Sequence, residues 1–346
     1  MGFSFIPDDT HVPFTRFALP AQIVSLLAVI GAVAALFVFG LNFGIDFRGG
    51  VTVEVGPAEG AEFSASDLTD VRQAVGTLDL GDVRVQNIGG GLGDEQEGIV
   101  VFVEAQDGEA AAPEEGPGQD TGSVEADEAA ELAQQQVADQ VRGVLTETLG
   151  ENISFRRVDV VGPTVSGELV RAGIEALALA IGLMLVYIWF RFEWQFSLGA
   201  VIALCHDVTL TLGVFALMQI DFTLSIIAAL LTIIGYSMND TVIVFDRIRE
   251  NMRKFKRMPL PELIDLSVNQ TLSRTIMTSF TTLIALFALY FFGGEVLRGF
   301  SFAIIWGILV GTYSSIFIAS PILMRTGVRD LSEKRSGQTT EPVAAE

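Results

Sequence analysis

Apolar residues along this chain gather into six long blocks: Ala18–Leu41, Ile174–Phe190, Ser197–Met218, Phe222–Phe245, Thr275–Phe292 and Gly299–Met324. A soluble amphipathic helix would space them every third or fourth position instead. About 18 to 20 apolar residues are needed to cross a bilayer as a helix, so each block predicts one transmembrane helix. The first block is longer than the apolar core of a signal peptide and is not followed by a small-residue cleavage site, so it is expected to stay as helix 1. The predicted fold class is a polytopic α-helical membrane protein with six transmembrane helices.

Between the first two blocks the pattern changes to short β-rich runs and amphipathic stretches. It predicts strand Val51–Val55, helix Ala65–Leu78, strand Val83–Asn87, strand Ile99–Glu104, helix Glu128–Leu149 and strand Ser154–Val161. That βαββαβ order fits an extracytoplasmic α+β ferredoxin-like domain, in which two helices cover one face of a sheet. Within it, 106–127 is acidic and rich in Gly, Pro and Ala, and it lacks the large apolar residues needed to offset ordering entropy. It is expected to be a disordered insertion. Gly89, Gly90, Gly91 and Gly93 follow a strand without opening a helix and lack the Lys-Ser/Thr ending of a phosphate loop, so no nucleotide cofactor is expected. The expected divisions are a cytoplasmic segment 1–17, helix 1 over 18–41, the outer domain 42–173, a five-helix bundle 174–324 and a cytoplasmic tail 325–346.

Composition refines this picture. Half of the 346 residues are hydrophobic, mean hydropathy is +0.48 and the net charge is −21. The outer segment 42–173 alone carries 26 Asp or Glu against seven Arg and no Lys, which argues against a nucleic-acid partner. The basic residues lie elsewhere. Arg247, Arg249, Arg253, Lys254, Lys256 and Arg257 fall between the fourth and fifth blocks, and the positive-inside rule places that stretch in the cytoplasm with both termini. A single cysteine, Cys205, excludes an intramolecular disulfide.

The candidate chemistry is inside the membrane. The fourth block reads LSIIAALLTIIGYSMNDTVIVFDRIREN from Leu224 to Asn251, with Asp240 in an otherwise apolar span. A carboxylate there costs roughly 2.5 to 3.5 kcal/mol even on the insertion scale, so it marks a proton or ion route by default. Asp240 lies five residues before Phe245, the predicted cytoplasmic end, and Arg274 opens the next predicted helix, so the two can be level. Hydrocarbon favours the neutral acid, whereas a guanidinium within about 4 to 6 Å favours the carboxylate. A carboxyl between these influences can load and release a proton; a fixed ion pair that only locks two helices is equally compatible with the residues. Ser237, Asn239, Thr278 and Thr282 can extend a hydrogen-bonded path, although hydroxyls in helices often bond their own backbone. His206 and Asp207 lie near the middle of the third block and serve either a proton path or helix packing. Adjacent helical positions point about 100° apart, which argues against a direct relay between them.

Further motifs lie at the membrane's outer boundary. FGIDFRGG, Phe43–Gly50, offers Asp46 and Arg48 for pairing, and Gly49 and Gly50 for a sharp turn. VGPTVSGEL, Val161–Leu169, leads through Gly162 and Pro163 into the second helix. With ALCHDV at Ala203–Val208, GYSMNDTVIVFDRIREN at Gly235–Asn251 and SRTIMTS at Ser273–Ser279, these motifs resemble the SecD/SecF family of protein-export membrane subunits, its SecF branch in particular, within the resistance-nodulation-division permease superfamily. The resemblance covers about residues 14 to 326. It implies a non-enzymatic accessory subunit in the bacterial inner membrane, partnered by SecD and assisting the SecYEG channel, the SecA motor and an unfolded translocating polypeptide, with YajC as an optional further partner. It also implies use of the proton-motive force, with Asp240 and Arg274 as the proton-conduction residues. No cofactor or metal is implied. Two other readings remain: one half of a small-molecule/proton antiporter of the same superfamily, and an assembly subunit without an energetic role.

Overall fold

The computed structural model describes residues 10–58, 63–64, 66–78, 80–81, 83–88, 98–104, 121–150 and 152–328. The elements run α1 (Phe14–Phe39), α2 (Ile45–Arg48), β1 (Gly50–Pro57), α3 (Asp67–Gly76), β2 (Val83–Ile88), β3 (Gly98–Glu104), α4 (Thr121–Leu149), β4 (Ile153–Val161) and α5 (Pro163–Arg191). There follow α6 (Trp194–Met218), α7 (Leu224–Lys254), α8 (Leu260–Phe292), α9 (Gly294–Ser314), a π-helical turn (Ser315–Ala319) and α10 (Ser320–Arg325). Two compact units result. One comprises Phe43–Glu175 with Phe222–Leu224; the other comprises Met1–Asn42, Ala176–Asp221 and Ser225–Glu346.

The first unit is a four-stranded antiparallel sheet of order β2-β3-β1-β4, the strand order of the ferredoxin-like fold. Period-two placement of Val51, Val53 and Val55 puts them together with Val101, Val71, Val75, Val141 and Leu145 in one core, all at or below 1% exposure. Each such valine contributes roughly 1.5 to 3 kcal/mol relative to an exposed one. One boundary differs from expectation. Helix α4 begins at Thr121, inside the tract expected to be disordered, because the Ala- and Glu-rich run there has high helix propensity. The rest of that tract, 106–120, and the glycine run at 89–93 lie outside the described residues.

The second unit contains the apolar helices. Among the described residues, six helical segments are long and apolar enough to cross a membrane: Phe14–Phe39, Val165–Arg191, Trp194–Met218, Leu224–Lys254, Leu260–Phe292 and Leu297–Arg325. The fourth and fifth are longer than hydropathy predicts. The stretch following Phe245 is amphipathic and buries Ile248 and Asn251, and the one preceding Thr275 buries Leu263, Ile264 and Val268, so helix continues where hydrophobicity ends. Arg247, Arg249, Arg253 and Lys254 therefore ride on α7, and Arg274 lies in mid-helix on α8 instead of at its start.

Packing is uneven among the spans. The most apolar 18-residue window of Val165–Arg191 is 6% buried against 67% for that of Leu297–Arg325, which separates peripheral helices from central ones. Phe196 of α6 and Phe245 of α7 meet edge to face at 5.2 Å within a cluster that includes Ile248, Leu263 and Leu323. Gly307 and Gly311 face α7 of this same chain. A Cβ at Gly307 would lie 2.4 Å from Ile233, and one at Gly311 would lie 2.9 Å from Ser237, so only glycine permits this approach.

Candidate functional site

Asp240 occupies the buried stripe of α7 that also carries Ile233, Ser237, Val244 and Ile248, positions recurring every three or four residues. Its carboxylate is enclosed by side chains from two other segments. Thr275 Oγ1 of α8 donates to Oδ1 at 2.5 Å, and Ser315 Oγ from the π turn donates to Oδ2 at 2.8 Å. A buried carboxylate without such donors would carry a penalty of several kcal/mol, and hydrogen bonds to a charged group are worth roughly 1.5 to 3 kcal/mol each. Arg274 precedes Thr275 but is exposed. Among the described residues no ion pair within 4.0 Å joins it to Asp240.

Asp207 on α6 forms a second buried centre. It is fully buried; Oδ1 lies 2.9 Å from His206 Nδ1, and Oδ2 accepts from Ser237 Oγ at 2.5 Å and Ser314 Oγ at 2.8 Å. The contact between neighbours differs from expectation. Helical geometry diverges the Cβ directions of residues 206 and 207, yet both side chains have enough rotatable bonds beyond Cβ to turn toward each other. Ser237 and Asp240 lie one turn apart on α7, and Ser314 and Ser315 are consecutive, so Asp207 is bonded to the helix that carries Asp240 and to the residue preceding the Asp240 donor Ser315.

Other expected path residues do not join this network. Asn239 is exposed. Thr278 Oγ1 donates to the carbonyl of Thr275, and Thr282 Oγ1 to that of Thr278, the self-bonding that competes with a relay. Ser314, Ser315 and Thr312 were not marked by the sequence, and Thr312 bonds Ser279 at 2.9 Å. The available signal was the serine pair in YSSIFIASP, polar residues in consecutive positions of an apolar span.

The outer motif has a different purpose. Asp46 accepts the backbone N–H of Leu224, the first residue of α7, at 2.8 Å, and Phe47 stacks on Phe222 with centroids 5.7 Å apart. Arg48 pairs with Glu104 at 3.7 Å, so Asp46 and Arg48 have separate partners. Gly49 and Gly50 have φ of 70° and 129°, backbone that side chains disfavour, and turn α2 into β1. Gly162 accepts the N–H of Ser166 at 2.9 Å at the start of α5, whose first residue is Pro163.

A polytopic membrane protein with a sheet domain between its first two spans and carboxylates enclosed by hydroxyls is the class this architecture defines. Residues 141–329 match the family described as "Protein export membrane protein SecD/SecF, C-terminal", and residues 34–57 match the "SecD/SecF GG Motif", which contains Gly49 and Gly50. The chain is 45% identical over 323 residues to the protein translocase subunit SecF of Cereibacter sphaeroides, covering 93% of this chain and 91% of that protein. It is 41% identical to the protein translocase subunit SecDF of Brucella abortus biovar 1, over 94% of this chain but 38% of that longer one. The crystal structure of SecDF, a translocon-associated membrane protein from Thermus thermophilus, superimposes with a TM-score of 0.71 at 31% identity, covering 93% of this chain and 39% of that chain. The chain belongs to the SecD/SecF family of protein-export membrane proteins, and it spans about two fifths of its SecDF relatives.

Proposed function

We propose that this SecF-type accessory subunit of the Sec translocase uses the proton-motive force to promote protein translocation, with Asp240 as its proton-loading group and Arg274 as an electrostatic modulator. The carrying observation is that Asp240 is buried and held by two hydroxyls, Thr275 and Ser315, with no cation among the described residues within ion-pair distance. A hydroxyl can donate to a carboxylate or accept from a carboxylic acid, so such a site accommodates both protonation states without breaking an ion pair. A helix-locking pair would call for direct Arg274–Asp240 contact.

The partners in this reading are SecD, the SecYEG channel with SecA, and the unfolded chain in transit. SecDF relatives, in which the matching region is 38–39% of a longer chain, support a SecD-type partner. The location is the bacterial inner membrane. Basic residues at the end of α7 and in 255–259 face the cytoplasm together with both termini. No covalent reaction is assigned.

Asp240→Asn retains size and much of the hydrogen bonding but removes the titratable proton. It is expected to leave complex yield intact and abolish gradient-driven stimulation of export. Arg274→Lys preserves charge and is expected to be impaired less than Arg274→Met. Export and proton flux in reconstituted vesicles check both. Recovery of full proton-dependent export in the Asp240→Asn/Arg274→Met double variant would show that Asp240 carries no proton.

A further inference from the structure

Asp207 is more deeply buried than Asp240, and the proposed function leaves it without a role. Two observations point to a labile proton there. The first is its set of partners. Its carboxylate accepts from Ser237 and Ser314, and the basic group beside it is His206, whose Nε2 is buried without a hydrogen-bond partner. A buried carboxylate beside a histidine can share one proton between Oδ1 and Nδ1. The second is the geometry of the serine pair. Ser314 Oγ lies 2.8 Å from Asp207 Oδ2 and 3.1 Å from the carbonyl of Gly311. Ser315 Oγ lies 2.8 Å from Asp240 Oδ2 and 3.0 Å from the carbonyl of Thr312. Each hydroxyl has one proton to give and two acceptors within reach.

We propose that Asp207, with His206, is a second proton-binding site, coupled to Asp240 through Ser314 and Ser315 at the π turn. When Asp207 is ionised, Ser314 donates to it. Protonation at Oδ2 turns that oxygen into a donor, so it can no longer accept from both Ser237 and Ser314, and Ser314 redirects its hydroxyl to the Gly311 carbonyl. Ser315 is offered the same choice by Asp240. Because the two serines are consecutive at the start of a π turn, a rearrangement at one is felt by the other; π turns concentrate at such functional places. The turn is held by Ser320, whose N–H and Oγ–H both reach the Ser315 carbonyl. The titratable groups that the elements around α6 bring to this network are Asp240 on α7 and Tyr313 on α9, with the Tyr313 ring 6.3 Å from that of His206. Tyr313 is itself engaged with Ser25 and the Ala21 carbonyl of α1, and the exposed Arg274 on α8 adjoins Thr275, which bonds Asp240.

This inference rests on reading Asp240 as the proton-loading group, and the test separates the two. The full chain, co-purified with its SecD-type partner, is reconstituted into vesicles, and infrared difference spectra of carboxyl protonation are recorded with proton flux as pH is varied. Asp207→Asn is expected to preserve complex yield, remove one carboxyl protonation signal and lower flux by about a hundredfold or more, the usual range of a proton-transfer group. Asp207→Glu is expected to restore the signal and part of the flux. Ser314→Ala leaves both carboxylates in place and is expected to shift the pH midpoint of the Asp240 signal. An Asp207→Asn protein that keeps all signals and wild-type flux overturns the proposal. Should Asp207→Asn fail to assemble, an unshifted Asp240 midpoint in Ser314→Ala overturns it equally. Asp240→Asn with undiminished flux sinks the earlier reading instead, whatever Asp207 does.

Discussion

At Gly49 and Gly50 the chain turns from α2 into β1 with φ of 70° and 129°, values that a Cβ makes costly. Holding an ordinary residue in such backbone costs of order 1 to 3 kcal/mol. Gly49→Ala should therefore lower the thermal midpoint of the protein and reduce hydrogen-exchange protection of the β1 amides. Gly143, by contrast, sits on α4 with nothing within 4 Å of where its Cβ would be. Alanine there removes backbone entropy without a clash, so Gly143→Ala should leave stability unchanged or raise it by up to about 1 kcal/mol. Equal effects of the two substitutions would show that backbone conformation does not govern this turn. The same distinction applies to Asp46 and Arg48. Their charges mark a junction in the sequence, but the acceptor role of Asp46 toward Leu224 depends on a residue distant along the chain.

Among the helices, the approach of α9 to α7 is set by Gly307 and Gly311 against Ile233 and Ser237. Gly307→Ala would put its Cβ into the Ile233 side chain, an overpacking expected to cost about 1 to 3 kcal/mol. Shortening the opposing residue in Gly307→Ala/Ile233→Ala should recover part of that loss, read as thermal stability of the purified chain in detergent. No recovery would place the clash elsewhere. The positions of the spans were legible because hydropathy reports where lipid is tolerated. The ends of α7 and α8 were not, since residues such as Asn251 and Ser267 continue the helix while bonding each other in a polar layer that hydropathy reads as loop. Asp240 was legible as a charge in an apolar block, whereas its donors were only partly so. Thr275 stood in a recognisable motif, but Ser315 reaches Asp240 from a π turn, and a serine in a span most often bonds its own backbone.

At the scale of the whole molecule, the relatives differ in the length of chain that carries the matching region. The Brucella relative carries the matching region in 38% of a single longer SecDF chain, whereas the Cereibacter SecF matches this chain nearly end to end. Covalent linkage alters encounter between halves without adding a contact, because a short flexible tether supplies an effective concentration in the millimolar range. With Asp240 as the proton-loading group, a fusion of this chain to a SecD-type protein should contain the same proton site and the same maximal export stimulation. It should differ only in dilution. Gradient-driven export measured across a range of expression levels is expected to fall at low levels for the separate chains and to hold for the fusion, with the two converging at saturation. Asp240→Asn should abolish stimulation in both formats. A fusion that exceeds the separate chains even at saturating expression would mean that the tether changes the complex itself, and a separate chain that supports full flux without any partner would remove the need for a second half.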